Sequence, residues 1–255
     1  HAFSPFPQCI VTERPDTAAF HLLEGRFVMV VEKSPHVLIA PVTFISFFQH
    51  IDDYNLRILN SNLIRIVRVT AFYIAIFLPA IYISLVSFNY EIIPIKLLLT
   101  IGKYRSEVPF PPLIEALIME IAFELLREAS IRLPSAVSQT IGIVGAIVIG
   151  QAAVQAGIVS NMMIIIVAST AIASFIVPNN DMSSAIRLIR FPMMLIASLF
   201  GIIGIVIGMM TLIAHILSLQ SLGLPLTPLQ FSKYKDSLLR FPLWKIKKTN
   251  LHNKK

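Results

Sequence analysis

The chain has 255 residues, of which 56% are hydrophobic and only 14% charged, where a soluble domain carries about 25% charged residues. That is too few polar groups to solvate a globule of this size, and it excludes water as the main solvent. The net charge of +7 lies in the tail, where Lys233, Lys235, Arg240, Lys245, Lys247, Lys248, Lys254 and Lys255 face Asp236 alone; behind a hydrophobic run, such a tail suits an anionic lipid surface rather than nucleic acid.

Residues 1–56 read as a small α+β fragment of a soluble cytoplasmic domain. Thr12-Glu-Arg-Pro15 predicts a helix start with Thr12 or Asp16 as cap and Pro15 in the first turn, and Gly25 supplies the stop. Phe27–Val31 and Val37–Ala40 are β-branched runs around Glu32–His36, a strand, turn, strand pattern. One helix and a hairpin cannot build a core alone, so these elements are expected to complete a larger domain. The chain opens on His1 and shows no signal-peptide pattern. From Phe44 to Arg68 arginines alternate with apolar residues, an amphipathic lead into a membrane that places this side in the cytoplasm.

Residues 57–218 read as a helical membrane domain. A span needs about 20 apolar residues. Val69 to Tyr90 holds one, Leu133 to Asn180 holds two with a tight turn, and the last covers about 193–218, which gives about four spans in all. Residues 219–255 form the basic cytoplasmic tail. Arg187 and Arg190 fall in the loop between the third and fourth spans, on the outer side, and count against this orientation.

Between the first and second spans, Pro109 to Leu133 is apolar but interrupted by Glu115, Glu120, Glu124, Arg127 and Glu128. At 100° per residue Glu120, Glu124 and Arg127 share about 60° of arc. Either the helix lies flat at the interface or re-enters, with Glu124 paired to Arg127 or Glu128, or its carboxylates line a cation path between copies. Gln151 and Gln155 sit in a small-residue segment, Gly150 to Gly157, read as a tight helical turn or as polar contacts along that path. Asn179, Asn180 and Asp181 after Pro178 are turn chemistry, with Asp181 a candidate partner for Arg187 or Arg190. Gly204 and Gly208 make a packing face, and His215 reads as an interfacial anchor. The lone Cys9 excludes an internal disulfide. No HExxH, GxSxG, P-loop or Rossmann string occurs, so neither an enzyme nor a cofactor is expected.

Several strings, taken in order, resemble the A subunit of spore germinant receptors, the GerA family. They include Ser4-Pro-Phe-Pro-Gln8, Thr12-Glu-Arg-Pro-Asp16, Leu23-Glu-Gly-Arg26, Pro41-Val-Thr-Phe44, Val108-Pro-Phe-Pro111, Glu115-Ala-Leu-Ile-Met-Glu120, Phe123-Glu-Leu-Leu-Arg-Glu-Ala129, Ile131-Arg-Leu-Pro134, Ala152-Ala-Val-Gln-Ala-Gly157 and Arg187-Leu-Ile-Arg-Phe-Pro192. The likeness runs to about Leu226; family members carry a further soluble domain before the equivalent of His1, and the lysine-rich tail departs from the pattern. The resemblance implies a multi-pass subunit of an inner spore membrane complex that senses nutrients, oligomerises and conducts ions, together with a transporter-like B subunit and a lipoprotein C subunit. A secondary transporter component and a non-conducting scaffold are the alternatives; few spans and no internal repeat argue against the transporter.

Overall fold

The computed structural model describes residues 4–227 and Arg240, with backbone alone at 135–141, 143, 144 and 146; the lysines of the tail lie outside the described residues. It is mainly helical with a small sheet and divides into two units. One holds residues 1–72, 175–186 and 209–255, the other 73–174 and 187–208.

In the first unit, β1 (Ile10–Thr12), β2 (Phe27–Val30) and β3 (Val37–Ala40) form an antiparallel sheet in the order β1-β3-β2. Ile39, paired with Ile10 on one side and Val28 on the other, is fully buried. Helix α1 (Pro15–Leu23) starts at Pro15 as predicted, but its N-cap is Arg14, with no side-chain cap. Thr12 is one residue too early to cap: its hydroxyl accepts the Arg14 N–H at 3.1 Å. The helix ends as the sequence predicts. Gly25 adopts φ 82°, and the N–H groups of Gly25 and Arg26 donate to Leu22 and His21, the paired bonds of a glycine-terminated helix.

Two 3₁₀ turns, Phe44–Phe48 and Ile51–Tyr54, precede α2 (Ile58–Ser87), so the amphipathic arginine segment is the first turns of α2 rather than a separate interfacial helix. Phe44, Phe48 and Phe72 meet edge to face at 5.3 to 6.0 Å. A short hairpin of β4 (Gln220–Ser221) and β5 (Leu224–Pro225) packs here too, with Leu219 and Leu226 fully buried. The Ser221 hydroxyl donates to Gln8 O and accepts the Val42 N–H. Residues 219–226, assigned to the tail from sequence, are therefore part of a packed unit.

In the second unit, α3 (Ile95–Arg105), α4 (Pro112–Arg132), α5 (Ser135–Gln155) and α6 (Asn161–Ile176) join the far part of α2 and part of α7 (Asn180–Ser218). Tyr82, Ile83, Ala116, Met119, Val159, Met163, Val167 and Met194 form their common core. Ala116 and Met119 are buried while Ile121 and Leu125 are exposed, so α4 turns one face into this core. Of the Gly150 to Gly157 segment read as a turn, residues 150–155 are the end of α5 instead, and the chain turns after Gln155, with Gly157 at φ 64°, before α6 begins at Asn161.

Helix α7 is not one rod. Gly201 has φ 61° and ψ −142°, a left-handed conformation that glycine adopts without strain. A Cβ on Gly204 would stand 2.5 Å from Ile196 O, and one on Gly208 would stand 2.6 Å from Met193 Sδ. Along a straight helix those pairs would be about 12 Å and 22 Å apart. The chain therefore turns back at Gly201, and residues 204–208 pack antiparallel on 193–200. Gly204 and Gly208 form the close seam, the packing role their spacing predicts.

Among the described residues, α2 and α7 are the helices long and apolar enough to cross a membrane. That test is met by two helices where the sequence suggested about four spans, and one of the two is itself a hairpin.

Candidate functional site: buried ion pairs on helix α4

A 21-residue helix from Pro112 to Arg132 forms because Pro112 opens it with a fixed φ, and only Pro134 lies beyond its end. Three of its four carboxylates point inward. Glu115 is 1% exposed and Glu120 6%, burial that carboxylates tolerate only when paired.

Glu120 lies at the centre. Arg190 Nη1 donates to Glu120 Oε2 at 2.5 Å, and the Thr170 hydroxyl, shared with Val167 O, donates to Oε1 at 3.2 Å. The guanidinium is satisfied on its other sides as well. Arg190 Nε donates to Ala75 O at 2.7 Å and Nη2 to Thr170 O at 3.4 Å. One buried pair thus ties α2, α4, α6 and the first arm of α7 together.

Glu115 lies five residues earlier on α4. Its Oε2 accepts the Ser160 N–H at 3.0 Å, and Oε1 stands 3.8 Å from Arg105 Nε, an ion pair without a direct hydrogen bond. Glu124, one turn beyond Glu120, pairs with Arg187 Nε at 3.2 Å and keeps 45% of its side chain exposed. Glu128 pairs with Arg132 on the surface. The three inward carboxylates thus form a ladder that is dry at Glu115 and Glu120 and wet at Glu124.

The sequence placed Arg187 and Arg190 in a loop. They lie inside α7 (Asn180–Ser218), because Asn179 caps that helix, its Oδ1 accepting the Met182 N–H at 2.9 Å, well before the arginines. Glu124 pairs with Arg187, the partner that sequence spacing along a single helix could not supply. Gln151 and Gln155 are exposed. Arg127 is half-buried on α4.

Asn179, Asn180 and Asp181 lie elsewhere, on an open cleft of about 430 Å³ in the first unit, together with Thr12, Arg14 and His50. Arg14 spans that cleft wall, donating to Asp16 at 2.7 Å and to both oxygens of Asp52 at 3.1 and 3.2 Å. Those hydrogen bonds hold both carboxyls below their usual range. Among the described residues no group of three His, Cys, Asp or Glu side chains is placed to hold a metal ion.

Residues 1–251 match the family of Bacillus/Clostridium GerA spore germination proteins. Over 246 residues the chain is 48% identical to the uncharacterized membrane protein YfkQ of Bacillus subtilis, covering 95% of this chain and 48% of that protein. It is also 48% identical to spore germination protein KA of B. subtilis, covering 95% and 45%, and 44% identical to spore germination protein A1 of B. subtilis, covering 94% and 51%. No solved structure matches. The chain spans about half the length of these relatives, and it belongs to the GerA family of spore germination proteins.

Proposed function

We propose that the chain is the membrane part of a nutrient-germinant receptor subunit that assembles in several copies in the inner spore membrane, with a transporter-like B subunit and a lipoprotein C subunit, and contributes an ion path. The observation that carries this reading is the charge ladder of α4. Buried charges in an apolar bundle are costly and mark functional sites by default. Here the dry pairs, Glu120 with Arg190 and Glu115 beside Arg105, set the bundle. The wettable groups, Glu124, Arg127, Gln151 and Gln155, are those a neighbouring copy could enclose as a cation-attracting lining.

The helix directions favour an even number of crossings. Pairing of Glu120 with Arg190 and Glu124 with Arg187 makes α4 antiparallel to the first arm of α7, and Leu126 against Gly145 with Ser130 against Gly142 makes α5 antiparallel to α4. Counted with α2, α6 and the two arms of α7, this gives six passes, more than the two helices that meet the length-and-composition test among the described residues, and it puts residues 1–56 and the tail on one face, the cytoplasm. Cysteines placed at Glu107 and Ile158 should then react with an impermeant reagent from outside, and one at Pro134 should not. Labelling of Pro134→Cys from outside overturns this topology.

A non-conducting scaffold is the second reading, favoured because the buried carboxylates are all ion-paired. Liposomes holding the complete receptor separate the two. On the conducting reading, Glu124→Gln lowers cation flux with assembly unchanged; equal flux in wild type and variant assigns the ladder to scaffolding.

A further inference from the structure

Helix α3 (Ile95–Arg105) is about 16 Å long, roughly half of what a hydrocarbon core requires. Residues 88–94 join it directly to the end of α2, a helix long and apolar enough to cross. It therefore sits at one end of a crossing without being one. Two contacts within the second unit fix its rotation: Ile101 is buried, and Arg105 Nε stands 3.8 Å from Glu115 Oε1 on α4. That inner face is closed, and the rest of the helix is open.

The open surface carries two kinds of side chain in separate strips. At 100° per residue Lys96 and Lys103 fall within about 20° of each other and about 150° from Ile101, so they form one strip on the side away from the core. Both are exposed, and neither ammonium group has an ion pair among the described residues, whereas Arg105 is committed to Glu115. Ile95 and Leu99, one turn apart, flank that strip and are 75% and 70% exposed. Leu97 and Tyr104 are exposed on its other flank. The helix contains no acid; Glu91 and Glu107 stand beyond its two ends. Water is a poor match for the apolar strips, and a hydrocarbon interior is a worse one for two unpaired ammonium groups. A bilayer surface offers both environments a few ångströms apart, and lysine stems reach from one to the other.

We propose that α3 is an interfacial anchor that docks on anionic lipid headgroups, with Lys96 and Lys103 meeting the phosphates while Ile95 and Leu99 dip toward the acyl chains. Its chemistry commits this face to lipid rather than to a protein: cations without partners beside an apolar strip match the layering of an anionic bilayer surface, and the end of α2 puts the helix at that depth. The inference rests on the membrane reading of the chain and is independent of the number of passes and of ion conduction. Because Arg105 pairs with Glu115, the same helix links the lipid surface to the first rung of the α4 ladder.

The test uses the full chain in nanodiscs, in a Cys9→Ser background, with a fluorophore on Leu99→Cys or, separately, on Ile81→Cys, an exposed position of α2. The quenchers are a nitroxide on the upper acyl chain of phosphatidylglycerol or of phosphatidylcholine, and acrylamide in the water. Both labels should be quenched more strongly by the lipid nitroxide than by acrylamide. At residue 99 the phosphatidylglycerol form should quench better than the phosphatidylcholine form by about twofold or more, the direction that attraction of lysine to anionic lipid requires. Lys96→Gln combined with Lys103→Gln should bring the two forms level, and added salt should narrow the difference in the parent chain. An unchanged preference in the double variant overturns the headgroup contact. So does a label at residue 99 reached by acrylamide alone, which places α3 in water, or by neither quencher, which means that protein covers it. A label at residue 81 reached by acrylamide alone overturns the membrane reading itself, and the anchor with it.

Discussion

Two ion pairs, one from each unit, hold their charges in opposite ways. Arg14 with Asp16 and Asp52 in the first unit is about half exposed on each side chain, so water and salt screen it and side-chain entropy offsets much of its attraction. Arg190 with Glu120 in the second unit has 3% and 7% of its side chains exposed. There the desolvation cost is large and is recovered only because each polar atom of the pair has a protein partner. An arginine–carboxylate pair is thus a surface feature in the first case and a condition of folding in the second, and burial rather than the unit decides which, since the first unit also buries Asp53 with Arg65 and Arg68.

Breaking the buried pair should have the largest effect. Arg190→Ala or Glu120→Ala leaves an uncompensated charge in the bundle and should cost about 3–5 kcal/mol, read as a lost or strongly lowered thermal transition in detergent and a fall in receptor level. Replacing both residues by Met and Leu removes the charges together and should restore most of that stability. If the double variant is no better than the singles, the pair supplies more than charge balance.

Next in size is the seam of the α7 hairpin. Gly204→Leu places side-chain atoms where Ile196 O already stands, and backbone cannot yield as a side-chain end can, so a loss of about 1–3 kcal/mol is expected. Gly145→Ala should cost less, because its close neighbour is the movable end of Leu126. Comparable melting temperatures for the two variants would remove the distinction.

How far these features could be read beforehand follows from the range of each signal. Helix α1, its Gly25 stop and the β2–β3 hairpin were legible because their determinants lie within a few residues of one another. The carboxylates of α4 stood out as charges in an apolar run, but their partners did not. Arg190 lies 70 residues from Glu120, and arginines just after an Asn-Asn-Asp string look like loop residues until Asn179 is seen to cap the helix. The strand β1 was missed because three residues give no alternation to detect. The turn at Gly201 was missed because a glycine among apolar residues is ordinary within a span; the second signal, Gly204 and Gly208 on one face, was read as packing without its partner.

The smallest effect is expected at the exposed pair, and pH is the means to see it. Asp16 and Asp52 are held below their ordinary value by hydrogen bonds from Arg14, so the folded state binds protons less readily than the unfolded chain. The stabilisation is present in full above the unfolded carboxyl value of about 3.9 and disappears as pH falls through the lower folded values. Between pH 6 and pH 8 both carboxyls are ionised in either state, and the pair contributes no slope. Thermal melts of wild type and Arg14→Gln should therefore run parallel across neutrality and converge only below about pH 4, with a gap at neutral pH that shrinks as salt is added. A gap that persists undiminished in high salt would mean that Arg14 acts through packing of its stem rather than through charge, and the contrast between the two pairs would then rest on shape.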